Sequence, residues 1–300
     1  MLSRRQKHIL IKFFSMFSVV RGYNTLIVVI AQYLTAVYIL AYDKPLKIVL
    51  FDLNLLVLVL ASAATIAGGY IINSFYDSEK DLINRPIKSM LDRLVSQNTK
   101  LSFYFILNFL AVIMASYVSF KAVIFFSLYI FGIWFYSHKL KKLPFIGNLT
   151  SAILAITPFF AIFMYYKNFE TVIFVHAVFL FLMISMRELT KDLENIKGDI
   201  VQGYITIPVA YGEKTSKVML TILAGLTLIP IYLLLFYFQI GYMYFFFYLS
   251  LLLLVVFLML LWMSKTKTHY LILHNILKFI IVAGVFSILL IDVGVILNRI

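Results

Sequence analysis

Cysteine is absent from the 300-residue chain. Disulfides, iron–sulfur clusters and thiolate zinc sites are therefore excluded on chemical grounds. The five histidines are scattered and form no cluster that could replace the missing thiolates. Charged residues are scarce as well, at 13% of the sequence against 63% hydrophobic residues. This balance excludes an ordinary soluble fold.

Long apolar runs take up most of the chain. Each is long enough for a helix to cross the roughly 30 Å of hydrocarbon in a bilayer, whereas a transmembrane barrel would have short alternating segments. We expect nine spans, near residues 22–42, 52–76, 101–119, 122–138, 146–166, 170–189, 217–238, 242–263 and 276–297. No linker divides the chain. The sequence therefore predicts an all-α, multi-pass membrane protein with a single domain over residues 1–300.

The positive charge follows the predicted topology. The net charge of +13 is compatible with nucleic-acid binding, but most of the 26 Lys and Arg residues fall before the first span and in alternate loops. This bias predicts a cell-membrane protein whose N-terminus faces the cytoplasm, with no nucleic-acid partner. Residues 1–20 mix basic and large apolar side chains with no small-residue cleavage site after them. They are expected to form an interfacial amphipathic helix.

The first polar constellation closes the second predicted span. Asn73, Asp77 and Asp81 are spaced by four residues, and Pro86 follows them. This spacing places the three side chains along one helix face, with about 6 Å of rise between neighbours. Oxygen ligands on one face suit Mg²⁺ held partly by carboxylates and partly by the phosphates of a substrate. Pro86 is expected to stop the helix.

The second constellation follows the sixth predicted span, on the same membrane face. Asn195 and Asp199 repeat the four-residue spacing, within a run that begins at Arg187 and includes Asp192. Two opposed oxygen-rich helix ends could share metal ions. Either run alone is most simply a solvated helix end, because short motifs have substantial false-positive rates. The solvated-end interpretation does not explain why both runs lie where apolar spans end, beside basic residues.

A third patch ends the fourth predicted span on that face. It contains Tyr136 with Lys139 and Lys141. Alone it is typical of the positive charge and interfacial aromatics of a membrane boundary. Beside the aspartates, its lysines become candidates to hold a diphosphate as point charges. His176 and Asn108 are interpreted as packing residues.

These residues together resemble the UbiA superfamily of intramembrane prenyltransferases. The first Asp-rich motif of that family is similar to Asn73-x-x-x-Asp77-x-x-x-Asp81 with Asn84-Arg85-Pro86, and the second to Arg187-Glu188-x-x-Lys191-Asp192-x-Glu194-Asn195-x-x-Gly198-Asp199. Arg21-x-x-Asn24 also matches. The resemblance covers about residues 15–215. It implies a helical bundle around a central cavity in which two Mg²⁺ ions bind an isoprenyl diphosphate.

The resemblance also assigns roles by position. It implies metal ligation by Asn73, Asp77, Asp81, Asp192, Asn195 and Asp199, and substrate contacts from Arg21, Asn24, Arg85, Lys88, Lys139, Lys141 and Arg187. Tyr136 joins Asp77, Asp81 and Asp199 as a catalytic candidate. The family usually has Asp where this chain has Asn195, which reduces the negative charge of the second metal site.

The resemblance implies ionisation of a polyprenyl diphosphate and transfer of the prenyl group to a lipophilic acceptor. The Lys139 to Lys142 patch and Arg187-Glu188 are closest to enzymes that use geranylgeranylglyceryl phosphate. Aromatic precursors of quinones, chlorophyll or haem stay open as acceptors. A secondary transporter is a competing class, but transporters place ionisable groups near the bilayer midplane, often across inverted repeats. A membrane scaffold would not need two matched motifs.

Overall fold

The structure, a computed structural model, describes residues 4–292 and residue 294. These residues form thirteen α-helices, with short 3₁₀ or π segments at some helix ends. The helices are α1 Arg4–Val19, α2 Gly22–Thr35, α3 Leu46–Leu50, α4 Leu53–Tyr76, α5 Ser78–Asn84, α6 Pro86–Asp92, α7 Gln97–Val118, α8 Phe120–His138, α9 Ile146–Tyr166, α10 Thr171–Val201, α11 Ile207–Phe236, α12 Tyr244–Met263 and α13 Lys267–Ser287.

Nine helical segments of the described residues are long and apolar enough to cross a membrane, which confirms the predicted number. They cover Gly22–Leu40, Leu53–Tyr76, Gln97–Val118, Phe120–Lys142, Ile146–Tyr166, Thr171–Val201, Ile207–Phe236, Gly241–Met263 and Lys267–Leu290. The predicted all-α fold is therefore confirmed. All of α1 lies within residues 1–20, the predicted interfacial helix, of which residues 1–3 lie outside the described residues. Its location at a membrane surface stays a prediction.

Three predicted boundaries were wrong. The sixth span does not end near residue 189, because α10 continues to Val201 and buries Glu188, Glu194 and Asn195 against its neighbours. The seventh begins at Ile207, with a kink at Gly212 where φ is 83°. The last begins at Lys267 instead of residue 276, with the Thr266 hydroxyl accepting from the His269 backbone N–H. Each error arose because polar residues inside a helix lowered its hydropathy.

Polar residues fix the ends of other spans. The Asp52 carboxylate accepts from the backbone N–H groups of Asn54 and Leu55 at 3.0 and 3.3 Å, and so caps α4. Ser96 and Ser119 cap α7 and α8 in the same way. Such caps satisfy N–H groups that have no partner within the helix. Beyond the other end of α4, Arg85 separates α5 from α6. Pro86 is the first residue of α6, so the helix break expected at Pro86 is found there.

Helix α9 contains Pro158, which has no N–H to donate to the carbonyl of Leu154. The Tyr129 hydroxyl of α8 donates to that carbonyl at 3.1 Å. The Gln32 amide of α2 donates to the Pro158 carbonyl at 2.8 Å and to the Ser62 hydroxyl of α4 at 3.1 Å. These hydrogen bonds link α9 directly to α2 and α8.

Helix α10 lies inside the bundle, against α5, α9, α11 and α13. Met183, Met186 and Leu189 on its buried side belong to the main hydrophobic core. Because α10 and α4 end on the same membrane side, their polar ends are brought together there. We call this side the motif face.

Candidate active site

The first motif runs across the junction between α4 and α5. Asp77 lies at the junction, yet the backbone hydrogen bonds continue with helical spacing. The Asp77 N–H donates to the Asn73 carbonyl at 2.9 Å, and the Asp81 N–H donates to the Asp77 carbonyl at 2.8 Å. The three predicted side chains therefore follow one another along nearly continuous helix, as their spacing indicates.

Asp77 is buried and neutralised by a lysine. The Lys141 ammonium donates to Asp77 Oδ1 at 2.7 Å and to Asn73 Oδ1 at 3.2 Å, so the two oxygens converge on one cation. The Tyr204 hydroxyl donates to the same Asp77 oxygen at 2.9 Å. Burial raises the pKa of Asp77, but Lys141 and Lys80 lower it by more, so its pKa lies below the ordinary value and the group stays ionised.

Asp199 of the second motif is fully buried and is also paired with a lysine. Its partner is Lys80, which lies between Asp77 and Asp81 in the first motif. The Thr206 hydroxyl donates to Asp199 Oδ2 at 3.2 Å. The Lys80 ammonium also lies 4.6 Å from the centre of the Tyr204 ring. Lys80 and Tyr204 therefore connect the two motifs, which the predicted topology placed on one face.

Asn195 has a buried acceptor without a partner. Its amide nitrogen donates to the Lys191 carbonyl at 2.8 Å, while its Oδ1 receives no hydrogen bond from any described residue. Asp192 is not part of this contact, because its Oδ2 accepts from Asn148 at 2.8 Å. Asp81 is half-buried. We call Asn73, Asp77, Asn195 and Asp199 the Asp cluster.

The donors of the Asp cluster fit a hard divalent cation. All four residues present oxygen, and Asn195 Oδ1 is an unused buried acceptor. Asn73 and Asp77 already converge on a positive charge, that of Lys141. Within the described part of the chain, no three His, Asp or Glu side chains gather at one point. Because Lys141 and Lys80 occupy the carboxylates of Asp77 and Asp199, a metal bound to either aspartate would displace its lysine.

Gly198 lets the two motifs approach closely. A Cβ at this position would overlap the side chain of Asn84, whose amide donates to the Asn195 carbonyl at 3.5 Å. The Lys267 ammonium donates to the Asn84 carbonyl at 2.6 Å, so α5 is held from two sides. Since the neighbours of Asn84 are fixed, a larger residue at 198 must push α5 away from α10.

We expect Gly198→Ala to lower the rate of the prenyl transfer that the resemblance implies by about 10- to 100-fold, because small displacements of reacting groups have costs of this order. Gly225→Ala is the matched control, since a Cβ at Gly225 meets no atom within 4 Å. Initial rates and melting temperatures of both variants in detergent test this. Equal rates for the two variants would show that the spacing of α5 and α10 is unimportant.

A polar chamber of about 310 Å³ opens beside the Asp cluster. Among its lining residues are five predicted site residues: Arg21, Asn24, Asn73, Tyr136 and Arg187. Asn73 belongs both to this wall and to the Asp cluster. The chamber therefore brings together predicted residues from α2, α4, α8 and α10.

Arg21 adopts a left-handed backbone conformation, with φ 48° and ψ 54°. This conformation is uncommon for residues other than glycine and is found mainly where surrounding structure enforces it. It places the Arg21 guanidinium 5.0 Å from the centre of the Tyr70 ring, on the chamber wall. The strained turn between α1 and α2 thus points a cation at the chamber.

Arg187 and Lys191 share one buried carboxylate. Glu188 accepts from Arg187 at 2.8 Å and from Lys191 at 2.9 Å, and all three residues line the polar chamber. The chamber also includes Arg21 and Lys278. The chamber wall thus has four cationic side chains and one carboxylate, that of Glu188. This excess of positive charge attracts anions.

An apolar chamber of about 140 Å³ adjoins the polar one. Its lining is almost entirely hydrocarbon and aromatic, with Phe163, Phe179 and Phe246 among the large side chains. The two chambers share Ala31, Phe159, Leu180, Ile281 and Val285. We call these five shared residues the neck. A ligand with a charged head and a long apolar tail fits this arrangement.

Four predicted substrate contacts do not line the polar chamber: Arg85, Lys88, Lys139 and Lys141, the last of which pairs with Asp77. Arg85 pairs with Glu194 at 3.3 Å, and Lys88 pairs with Asp92 at 3.5 Å. Burial lowers the pKa of Lys88. Lys139 is exposed. The structure thus separates these residues from Arg21 and Arg187.

Sequence reasoning missed Tyr204, Lys80 and Glu188 as members of the site. Lys80 and Glu188 lie within the quoted motifs, so their position was a usable signal. Tyr204 follows Asp199 by five residues, and its contact with Asp77 spans 127 residues of sequence. Burial and nearby Asp77 raise the pKa of Tyr204, which keeps its hydroxyl protonated as a donor.

Two relatives share substantial sequence with this chain. The digeranylgeranylglyceryl phosphate synthase of Methanobrevibacter smithii is 29% identical over 238 residues, which cover 75% of this chain and 80% of the relative. The enzyme of the same name from Thermococcus sibiricus is 33% identical over 202 residues, or 67% of this chain and 70% of the relative.

Solved structures share the fold. A structure described as a digeranylgeranylglyceryl phosphate synthase in membranes matches with a TM-score of 0.71 and 23% identity, covering 95% of this chain and 99% of that one. A UbiA homologue from Archaeoglobus fulgidus, bound to GPP and Mg²⁺, matches with a TM-score of 0.66 and 14% identity, covering 91% and 99%. Residues 29–277 match the UbiA prenyltransferase family. With this match over most of its length, the chain belongs to the UbiA prenyltransferase family and is a membrane-embedded prenyltransferase.

Proposed function

We propose that this enzyme transfers a polyprenyl group from a polyprenyl diphosphate to a phosphate-bearing lipid acceptor, geranylgeranylglyceryl phosphate, and that it requires Mg²⁺. The observation that carries the proposal is the pair of adjoining chambers, one with excess cations and one apolar. Two relatives are named for synthesis of digeranylgeranylglyceryl phosphate. An aromatic acid acceptor would not need so many cations beside the Asp cluster.

The donor's diphosphate belongs at the Asp cluster. Asn73, Asp77, Asn195 and Asp199, with Asp81, would hold Mg²⁺, which supplies neutralisation of the charge that develops on the leaving diphosphate. Lys141 and Lys80 neutralise Asp77 and Asp199 when no metal is bound. Once these carboxylates hold metal, the two lysines can turn to the diphosphate oxygens as point charges.

The apolar chamber provides room for the prenyl tail, and the neck places the reacting carbon near the polar chamber. Tyr70, Tyr129 and Tyr136 line the wall there. Their ring faces can stabilise the allylic cation that forms when the carbon–oxygen bond to diphosphate breaks. The apolar lining excludes water, which would otherwise capture that cation. The acceptor hydroxyl then attacks the same carbon, so that a new carbon–oxygen bond replaces the broken bond to diphosphate, and its proton passes to the released diphosphate.

We also propose that the motif face is cytoplasmic in a cell membrane and that residues 1–300 form one domain. The excess of Lys and Arg in loops on that side supports this orientation. Polyprenyl diphosphate would then reach the Asp cluster from the cytoplasmic side.

A panel of acceptors tests the proposed function. Purified protein with Mg²⁺ and radiolabelled geranylgeranyl diphosphate receives geranylgeranylglyceryl phosphate, 4-hydroxybenzoate or dihydroxynaphthoate. We expect the phosphate-bearing lipid to be prenylated with kcat/KM about 10- to 100-fold above the aromatic acids, because a hydrogen bond to a charged group contributes about 1.5–3 kcal/mol. Preferred prenylation of an aromatic acid would contradict the acceptor assignment. Absence of any transfer would contradict the proposed reaction.

A further inference from the structure

Lys278 lies inside the membrane-spanning part of α13. It is the twelfth residue of a span that begins at Lys267, so it is about 16 Å along the helix from that end. The predicted span over residues 276–297 made it the third residue of the span, close to the membrane surface, where lysine is common. An ionisable residue at this depth is costly to bury and often marks a functional site.

The Lys278 ammonium has no carboxylate partner among the residues that the structure describes. Its side chain lines the polar chamber, and the residue is exposed, so it stands where the chamber opens between helices. The other chamber cations have partners: Arg187 and Lys191 share Glu188, and Arg21 lies over Tyr70. An anionic ligand would supply the partner that Lys278 lacks.

The position of Lys278 differs from that of the donor's diphosphate. His274 lies one turn before Lys278 on α13, and its Nδ1 is 3.6 Å from Oε2 of Glu194. Glu194 is next to Asn195, a member of the Asp cluster, so this turn of α13 lies beside the cluster. Lys278 is about 6 Å further along α13, away from the motif face. Arg187 is likewise displaced from Asn195, by about 12 Å along α10. The two cations therefore form a second positive region, deeper than the Asp cluster.

We propose that Lys278 binds the phosphate of the lipid acceptor and selects phosphate-bearing acceptors. This inference rests on the proposed function. Helix α13 packs beside α2, and exposed Lys278 lies on the wall of the chamber between them. An acceptor entering from the bilayer would keep its tail in lipid and bring its phosphate to Lys278. Its hydroxyl, a few bonds away, would then lie in the chamber near the donor carbon.

Lys278→Met, which keeps most of the side-chain length without the charge, tests the proposal. Lys278→Arg keeps the charge, and Lys265→Met controls for loss of an exposed lysine before α13. The acceptors are geranylgeranylglyceryl phosphate and geranylgeranylglycerol, which lacks the phosphate. We expect Lys278→Met to raise KM for the phosphate-bearing acceptor by about 10- to 100-fold, which is the usual cost of losing one hydrogen bond to a charged group.

KM for the donor and the rate with geranylgeranylglycerol should be unchanged in Lys278→Met. The variants Lys278→Arg and Lys265→Met should resemble the parent protein in all of these measurements.

A second measurement needs no turnover. The melting temperature of each variant is recorded with acceptor alone, without donor or metal. We expect the phosphate-bearing acceptor to stabilise the parent protein and Lys278→Arg, but not Lys278→Met. Equal stabilisation of all variants would overturn the proposal, as would an equal loss with both acceptors or a rise only in KM for the donor. A parent protein that binds the phosphate-bearing acceptor but transfers nothing to it would refute the proposed function while this inference stood.

Discussion

Replacing Asp77 by asparagine should lower the rate of prenyl transfer by about 1,000-fold, the usual order for losing a charged group that stabilises a transition state through a metal. Asn73 and Asp77 converge on one cation, and the asparagine leaves that point without its only negative charge. Tyr204 can still donate to the new amide oxygen. Radiolabelled transfer at saturating Mg²⁺ measures the effect.

The same substitution leaves the buried Lys141 ammonium without its counter-charge. Removing one partner of a buried ion pair costs about 3–5 kcal/mol, whereas replacing both partners is often close to neutral. We therefore expect Asp77→Asn to lower the melting temperature in detergent, and Asp77→Asn with Lys141→Met to regain most of it. The double variant should stay as inactive as Asp77→Asn.

Asp43→Asn is the control for this series, because Asp43 is an exposed aspartate between α2 and α3, at the opposite membrane face from the Asp cluster. It should retain the parent rate and melting temperature. Recovery of activity along with stability in the double variant would show that Asp77 only maintains the fold. The metal assignment of Asp77 would then be wrong.

Substitutions of Asn195 should change the Mg²⁺ requirement in opposite directions. Asn195 Oδ1 is buried and receives no hydrogen bond from the described residues, so it is available to a metal. Asn195→Leu has nearly the same volume but no oxygen, and we expect it to need at least about 10-fold more Mg²⁺ or to lose activity. Asn195→Asp adds a negative charge and should be active at lower Mg²⁺ than the parent protein.

The structure adds a consequence for stability without metal. In the parent protein the Asn195 amide donates to the Lys191 carbonyl, and a carboxylate cannot make that bond. Asn195→Asp should therefore melt at a lower temperature than the parent protein in chelator and recover in Mg²⁺. Overlapping Mg²⁺ titrations for Asn195→Leu and the parent protein would mean that Asn195 is only a helix residue. The second metal site would then rely on Asp199 with Asp192 or Glu194.

Hydropathy predicted the nine spans because each needs a long apolar run. Hydropathy failed to locate the ends of spans in which polar residues continue the helix. In α13, His274 and Asn275 interrupt the apolar pattern, although the Thr266 cap was available as a signal for the true start. That error placed Lys278 at a membrane surface and hid its position on the chamber wall. In α10, buried Glu188 and Glu194 were taken as the end of the span.

The spacing of four residues predicted correctly that Asn73 and Asp77 point at one place. It could not predict that lysines neutralise the carboxylates, because the contact of Lys141 with Asp77 joins residues 64 apart in sequence. The patch of Lys139 and Lys141 was predicted to act together. The fold separates them, since Lys141 is buried in the Asp cluster and Lys139 is exposed.

The hydrogen bonds around Pro158 affect how the protein responds to its lipid environment. Lipid tails are as apolar as leucine, so no hydrophobic effect holds transmembrane helices together, and their spacing depends on packing and on hydrogen bonds between helices. At the neck, Gln32 follows Ala31 and binds the carbonyl of Pro158, which precedes Phe159. Tyr129 secures the same helix one turn away. The width of the neck is therefore set by polar contacts inside the protein, and it should stay constant when bilayer thickness or fluidity changes around the bundle.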